Sequence, residues 1–326
     1  MIRALLLRDP RIEVVGEAGD PYEARELIRE LNPDVITLDV VMPKMDGLSF
    51  LERLMRLRPM PVVMISTRTT EKSAAAVKAL SLGAFDCVDI AALSQGKTNT
   101  DLAEVVVAAA SSNPRGRTTQ RTLQASSKRF RWNGRAVLFG SSTGGVDALT
   151  TVLSEFPKDC PPVLIAQHMP RAFLESFCTR LERIIAPKVC LAEDGAPLEQ
   201  GVVQLGPGGG THVALADSHD LRVELLPEDG SELYVPSVNV LFSSAQVHAK
   251  RVVAVMLTGM GKDGSKPMLE LYKAGAYTIA QDSASSVVDG MPKAARDIGA
   301  VVEFANFNKI ASAILAQVSK PEQESA

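Results

Sequence analysis

Short apolar runs alternate with helical patterns along most of the chain, and this alternation restricts the fold to the α/β class. In the first third we predict strands at residues 11–18, 34–40, 61–66 and 85–90. Helices are predicted there at residues 21–31, 48–56, 71–82 and 101–110. Because strands separated by helices form parallel sheets, we expect a parallel sheet covered by helices.

The same alternation resumes after residue 133. The predicted strands are residues 136–140, 163–167, 202–205, 252–258 and 276–280. The predicted helices are residues 146–155, 172–185, 237–248, 266–274 and 309–319. At roughly 100–200 residues per domain, 326 residues indicate two domains.

A basic segment separates the two alternating regions. Residues 111–132 carry six Lys or Arg and no Asp or Glu. We interpret residues 111–133 as a flexible linker, and a patch for an anionic partner is the alternative. The domains are then residues 1–110 and 134–319, followed by a disordered tail at 320–326.

Composition excludes several classes of protein. With 46% hydrophobic residues and a net charge of −3, the chain is typical of a soluble globular protein and not of a nucleic-acid binder. No apolar run reaches the roughly 18–20 residues that a membrane span requires. The four cysteines form no C-x-x-C pair, which favours the reducing cytoplasm over a disulfide framework or a zinc site.

Three polar residues follow predicted strands of the second domain. Ser142 lies in the glycine-rich turn GSSTGG, His168 follows VLIAQ, and Asp263 lies in LTGMGKDG. Ligands bind at the carboxyl edge of such sheets. A serine nucleophile needs a base, and a carboxylate orients that base, so these residues together suggest a hydrolase.

Each residue also has a structural interpretation. A Ser or Thr after a strand is a common helix cap, one of four histidines can fall there by chance, and an Asp in a turn often caps a helix. A dinucleotide-binding loop fits poorly, because the spacing is G-x-x-x-G-G and no acidic residue ends the next strand.

The motifs GSSTGG, QHMP, AEDG, PSVNVLF, LTGMGKDG, GAYTIAQ and SSVVDGMP, in this order over residues 136–315, resemble bacterial chemotaxis response-regulator protein-glutamate methylesterases. The resemblance implies a doubly wound parallel-sheet domain that demethylates glutamyl methyl esters, and deamidates some glutamines, on chemoreceptors. It makes Ser142 the nucleophile, His168 the base and Asp263 the orienting acid. Thr143 becomes an auxiliary hydroxyl, and Met260 lies beside the oxyanion.

The same resemblance implies no metal or organic cofactor for catalysis. The implied partners are the cytoplasmic domains of methyl-accepting chemoreceptors and a chemotaxis histidine kinase. Two departures concern the substrate cleft. The family usually has His-Arg before Pro-Ser-Val, where this chain has Leu233-Tyr234-Val235, and Asn239 replaces the usual aspartate.

The first domain resembles a flavodoxin-like response-regulator receiver that lacks its first strand. Asp39, after DVITL, matches the phosphoacceptor, and Ser66 matches the switch hydroxyl. The acidic pair that would hold Mg²⁺ is absent, which argues against Mg²⁺-dependent phosphorylation, and Ile90 replaces the usual lysine. Either the missing strand is encoded upstream of Met1 or the receiver is degenerate, and Ile90 favours degeneration.

Two functions of different classes therefore stay open. The leading one is a protein-glutamate methylesterase that uses Ser142. The alternative is a non-catalytic or retargeted module that binds receptors or signalling partners, suggested by the altered residues 233–235 and the altered receiver. A DNA-binding regulator is disfavoured, because the sequence has no helix-turn-helix output domain.

Overall fold

The computed structural model describes residues 2–66, 70–89, 102–112 and 130–320, and it divides into two compact units. The first unit comprises Met1–Thr119 and the second comprises Gln120–Ala326. The division falls inside the segment that the sequence predicts to be a linker. Residues 113–129, which include most of that segment, lie outside the described ranges, as do Ile90 and residues 321–326.

The described residues of the first unit form a three-stranded parallel sheet in the order β1-β2-β3. Its elements, in chain order, are α1 (Ile2–Leu6), α2 (Pro21–Leu31), β1 (Ile36–Asp39), α3 (Gly47–Leu57), β2 (Val62–Ser66), α4 (Thr70–Ser81), β3 (Asp86–Asp89) and α5 (Leu102–Ala110). Local chemistry sets the helix ends. The Asp20 carboxylate accepts from two amides of the first turn of α2, and the Asp46 carboxylate accepts from the Ser49 amide at the start of α3.

The predicted strand at residues 11–18 is wrong. These residues have no strand conformation, and their side chains are mostly exposed. The reason is the lack of a ladder partner: β1 is hydrogen-bonded to β2, and within the described ranges no strand lies on its other side. An apolar pattern alone does not stabilise a strand. Without a neighbouring strand, the backbone N–H and C=O groups form hydrogen bonds with water instead of with a sheet.

The second unit has a seven-stranded parallel sheet in the order β12-β11-β10-β4-β5-β7-β6, and β8 and β9 form an antiparallel hairpin beside it. The strands are β4 (Ala136–Ser141), β5 (Val163–Gln167), β6 (Lys188–Leu191), β7 (Val202–Leu205), β8 (Thr211–Leu215), β9 (Val223–Pro227), β10 (Val252–Met256), β11 (Tyr277–Gln281) and β12 (Glu303–Ala305). The helices are α6 (Gly145–Ser154), α7 (Arg171–Glu182), α8 (Val238–Ser244), a 3₁₀ helix (Ala245–Arg251), α9 (Ser265–Lys273), α10 (Gly290–Asp297) and α11 (Ile310–Val318).

The order in which the strands are added to the sheet reverses at β4. From β4 the chain proceeds through β5 to one edge of the sheet, and β10 then lies on the other side of β4 and leads to β11 and β12. Every residue of β4, β5 and β10 is buried, so the three strands form the rigid centre of the core. In open α/β sheets this reversal creates a crevice at the carboxyl ends of the strands.

Both ends of the second unit extend further than the sequence suggests. Trp132 forms an antiparallel bridge with Ser319, the Asn133 amide donates to Val318, and the Lys320 amide donates to Arg131. Residues 131–133, assigned above to the flexible linker, therefore pair with residues 318–320, of which Lys320 is assigned above to the tail. The patterns also missed β6, β8, β9, β12 and α10, which are short or flanked by glycine-rich turns.

Candidate active site

The strand register brings the three predicted site residues to one edge of the sheet. Ser141 pairs with Gln167, so Ser142 and His168 are the next residues on adjacent strands. The His168 amide donates to the Ser141 carbonyl at 3.0 Å, and the Ser142 amide donates to the Thr258 carbonyl at 3.1 Å. These bonds tie together the loops that follow β4, β5 and β10, and the last of these loops carries Asp263.

His168 and Asp263 form a buried pair. The distance from His168 Nε2 to Asp263 Oδ2 is 2.7 Å, and the two side chains are 6% and 5% exposed. An ionised carboxylate can only accept, so Nε2 carries the proton and donates it to Asp263. His168 Nδ1 is buried and makes no hydrogen bond with the described residues. It is therefore the nitrogen that remains to accept a proton.

Asp263 is held as an anion by the start of α8. Burial raises the pKa of its carboxyl group, but the hydrogen bond and charge of His168 outweigh this and lower the pKa below its usual value, with help from two backbone amides. The Val238 amide donates to Oδ2 at 2.7 Å and the Asn239 amide to Oδ1 at 3.0 Å. Anions are favoured at this position because the first amides of a helix point towards it.

Ser142 is half-buried and lies at a crowded turn. Two residues after the serine, Gly144 caps α6 with a φ of +79°, and the helix begins at Gly145. A side chain at Gly259 would place its Cβ 2.8 Å from Ser142 Cβ, so Gly259 must remain glycine for the β10 loop to approach. The Gln167 side chain fixes the same turn by donating to the Ser142 carbonyl at 2.9 Å.

Thr143, the expected auxiliary hydroxyl, and Met260, the residue expected beside the oxyanion, lie in the turns next to Ser142. Thr143 is buried, and its carbonyl accepts from the Thr258 hydroxyl at 3.0 Å. Met260 directly follows Gly259, and its backbone amide has no acceptor among the residues that the structure describes. A free amide next to the predicted nucleophile is the type of donor that stabilises an oxyanion.

A second carboxylate, Glu232, lies beside the pair, and the sequence analysis missed it. Glu232 Oε2 accepts from Asn239 Nδ2 and from the Ser237 hydroxyl, both at 3.0 Å. The same hydroxyl lies 3.2 Å from Asp263 Oδ1. In this chain the residue that replaces the family's usual aspartate, Asn239, therefore contacts a carboxylate at residue 232.

The second departure also contacts the site. The Tyr234 ring stacks on the His168 imidazole with 4.1 Å between ring centroids and 14° between ring planes. Burial raises the pKa of the Tyr234 phenol, and the charge of Asp263 adds to this. Its neighbour Leu233 is 56% exposed. The segment therefore presents aromatic and apolar groups where the family usually carries cationic ones.

Two buried cysteines, Cys160 and Cys178, do not offer an alternative nucleophile. All four cysteines are free thiols in the structure. Burial raises the pKa of Cys160 to about 12 and that of Cys178 to about 11. Because the thiolate is the reactive form, these groups are inert at neutral pH.

In the first unit, Asp39 and Ser66 end adjacent strands. Asp39 pairs with Ile65, the residue before Ser66, and its side chain is exposed while Ser66 is buried. Within the described ranges, no three His, Cys, Asp or Glu side chains are placed to hold a metal ion. The role of Asp39 as phosphoacceptor and the expected lack of Mg²⁺-dependent phosphorylation both stay predictions.

None of the helices that the structure describes combines the length and the apolar character needed to cross a membrane.

Comparisons with known proteins assign both parts of the chain. The family model described as CheB methylesterase matches residues 137–314, and the response regulator receiver domain model matches residues 1–89. A protein-glutamate methylesterase/protein-glutamine glutaminase of Caulobacter vibrioides is 48% identical, over 97% of this chain and 93% of its own. The protein of the same name from Agrobacterium fabrum is 45% identical, over 97% of this chain and 92% of its own.

A solved structure agrees with these matches. The CheB methylesterase catalytic domain of Thermotoga maritima is 33% identical, with a TM-score of 0.54, and the match covers 57% of this chain and all of that domain. The family model and the relatives together cover the receiver-like and the catalytic regions in the order found here. The chain belongs to the CheB methylesterase family and joins a response regulator receiver domain to a methylesterase domain.

Proposed function

We propose that this protein is a serine hydrolase that demethylates glutamyl methyl esters on chemoreceptors during chemotaxis adaptation. The observation that carries the proposal is the state of His168. Its Nε2 lies 2.7 Å from Asp263, and its buried Nδ1 has no hydrogen-bond partner among the described residues. His168 itself follows β5, the strand that pairs with the strand before Ser142. A base with one nitrogen fixed and one free is ready to activate a serine.

In the first half of the reaction, Ser142 Oγ attacks the ester carbonyl carbon while His168 Nδ1 takes the hydroxyl proton. The new oxyanion accepts hydrogen bonds from the turn that contains Met260. When the carbonyl re-forms, the bond to the methoxy group breaks. His168 returns the proton to that oxygen, and methanol leaves an acyl-enzyme on Ser142.

Water completes the cycle by the same route. His168 Nδ1 removes a proton from water and the hydroxide adds to the acyl carbon. When the carbonyl re-forms, the bond from that carbon to Ser142 Oγ breaks, and His168 returns the proton to Oγ. The products are a glutamate side chain and free Ser142. Asp263 remains ionised throughout and stabilises the imidazolium that forms twice per turnover.

Deamidation of receptor glutamines needs the same acyl-enzyme with ammonia as the leaving group. The printed names of the relatives pair these two activities. His168 must then protonate a poorer leaving group, so we expect the amide reaction to be slower than the ester reaction. The receptor substrates and the free cysteines are consistent with an activity in the cytoplasm.

The decisive experiment measures methanol release from methylated chemoreceptor membranes by the full chain and by Ser142→Ala. We expect release by the wild-type chain and none above background by the variant. No release from either chain would reject the methylesterase. Receptor pull-down by both chains, without release, would instead establish the non-catalytic binding module.

A further inference from the structure

Tyr234 is the aromatic side chain packed on the proposed catalytic base. Its ring lies nearly parallel to the His168 imidazole, with the centroids 4.1 Å apart and the planes 14° apart. Tyr234 is half-buried. The contact joins two segments that are far apart in sequence, the turn after β5 and the loop before α8.

The imidazole needs a restraint of this kind. The χ2 torsion angle of histidine has a broad distribution, so covalent geometry alone does not fix the direction of the ring nitrogens. Asp263 holds Nε2, and Nδ1 makes no hydrogen bond with the described residues. A single hydrogen bond at Nε2 still permits the imidazole to rotate about that nitrogen. The Tyr234 ring, stacked on the face of the imidazole, opposes this rotation.

Tyr234 lies in a segment that is itself anchored. Two residues before it, Glu232 accepts hydrogen bonds from Ser237 and Asn239. After it, Pro236 and Ser237 are buried, and the Ser237 amide donates to His212 Nδ1 at 3.1 Å. Tyr234 therefore lies in a loop that is anchored by hydrogen bonds before and after it. This anchoring restricts the position of the tyrosine ring and, through the stacking contact, that of His168.

We propose that Tyr234 is a positioning residue that holds the His168 ring so that Nδ1 faces Ser142 while Nε2 stays on Asp263. The proposal rests on the methylesterase function above. In this chain the stacked ring occupies the segment where the family usually carries His-Arg. The part of the tyrosine that acts is its ring face, and its hydroxyl is not required.

This role predicts an effect on the chemical step. A base that rocks away from Ser142 spends less time in a reactive geometry, and small misalignments of reacting groups cost large factors in rate. Binding of the receptor segment does not depend on the direction of Nδ1. Loss of the ring should consequently lower kcat and leave KM nearly unchanged.

The test compares Tyr234→Leu, which removes the ring, with Tyr234→Phe, which keeps it. Tyr272→Leu is the matched control, because Tyr272 is 45% exposed on α9 of the same unit. The first readout is the rate at which a fluorophosphonate labels Ser142 in the full chain, with Ser142→Ala as the blank. The second readout is kcat and KM for methanol release from methylated receptor membranes.

We expect Tyr234→Leu to label and turn over about tenfold more slowly or worse at nearly unchanged KM. Tyr234→Phe and Tyr272→Leu should stay close to the wild-type rates. Thermal unfolding of each variant separates a slow folded enzyme from an unfolded one. The proposal is supported if, of the two substitutions at Tyr234, only Tyr234→Phe keeps the wild-type rate.

Equal labelling rates for Tyr234→Leu and wild type would overturn the positioning role and leave the methylesterase intact. A Tyr234→Phe variant as slow as Tyr234→Leu would also overturn it, because the hydroxyl would then be the active part. A wild-type chain whose Ser142 is neither labelled nor active on receptors would reject the proposed function and the inference with it.

Discussion

His168 Nε2 and Asp263 Oδ2 lie 2.7 Å apart, although the two residues are 95 positions apart in sequence. Both side chains are almost fully buried, so the hydrogen bond is shielded from water. Because Nε2 is used in this way, the nitrogen available to Ser142 is Nδ1. The orientation of the imidazole thus follows from which nitrogen the carboxylate holds, and four predictions depend on this arrangement and its surroundings.

Asp263→Asn should nearly abolish methanol release without changing receptor binding. The amide lacks the charge that stabilises the His168 imidazolium, and it can hold the ring in the wrong tautomer, which lowers kcat by about 10⁴-fold in triads of this type. The measurement is kcat and KM on methylated receptor membranes. A variant with more than a tenth of the wild-type kcat would show that Asp263 is not the orienting acid.

The stability of the catalytic unit should fall in acid because of Asp263. The pKa of its carboxyl group in the folded protein lies below the usual value of an aspartate, so its ionised form contributes stability fully above that usual value. The contribution is lost as the pH falls through the lower folded pKa. The single tryptophan, Trp132, lies in the second unit, and its fluorescence during urea unfolding measures the free energy at each pH. Asp263→Asn should show a shallower decline below pH 4, and an identical decline would contradict this assignment.

Gly259→Ala should damage the nucleophile. The new Cβ would lie 2.8 Å from Ser142 Cβ and 2.4 Å from the sulfur of buried Met291, so one of them must move. We expect fluorophosphonate labelling of Ser142 to slow by about 100-fold and stability to fall by about 1–3 kcal/mol. Gly19→Ala is the control, because its Cβ would meet only Glu23 at 3.6 Å. Normal labelling of Gly259→Ala would refute the close approach of these turns.

Asn239→Asp should destabilise the site, and Glu232→Gln should rescue it. The Asn239 Nδ2 donor lies 3.0 Å from Glu232 Oε2, so an aspartate there would bring two carboxylates together. The double variant again has one carboxylate and one amide, but the carboxylate is now at position 239 and the amide at position 232. We expect a coupling energy of about 1–3 kcal/mol from a double-mutant cycle by urea unfolding. Additive effects of the two substitutions would show that the contact carries no energy.

Much of the catalytic unit could be predicted from local pattern. The β4, β5 and β7 runs are short, apolar and bounded by turns, and their strands lie at or within one residue of the predicted positions. Ser142, His168 and Asp263 could be singled out because each follows such a run, and the carboxyl ends of parallel strands share one edge. The pattern is sufficient there because the information is local.

Other features required contacts between distant segments. Residues 11–18 have the pattern of a strand but no ladder partner in the described ranges, so they do not form one. The helix predicted at 237–248 becomes α8 followed by a 3₁₀ turn. Short elements such as β12, with three residues, carry too few positions for a period to be read.

By itself, the sequence determined the α/β class, the strand-end residues of the site and the family resemblance, since all three are written in consecutive residues. Only the tertiary structure decided which imidazole nitrogen is free, that Tyr234 covers the base, and that Glu232 supplies the carboxylate beside Asn239. The physical reason is that these are short-range interactions, effective over a few ångströms. Their partners become neighbours only after the sheet has brought its loops to a common edge.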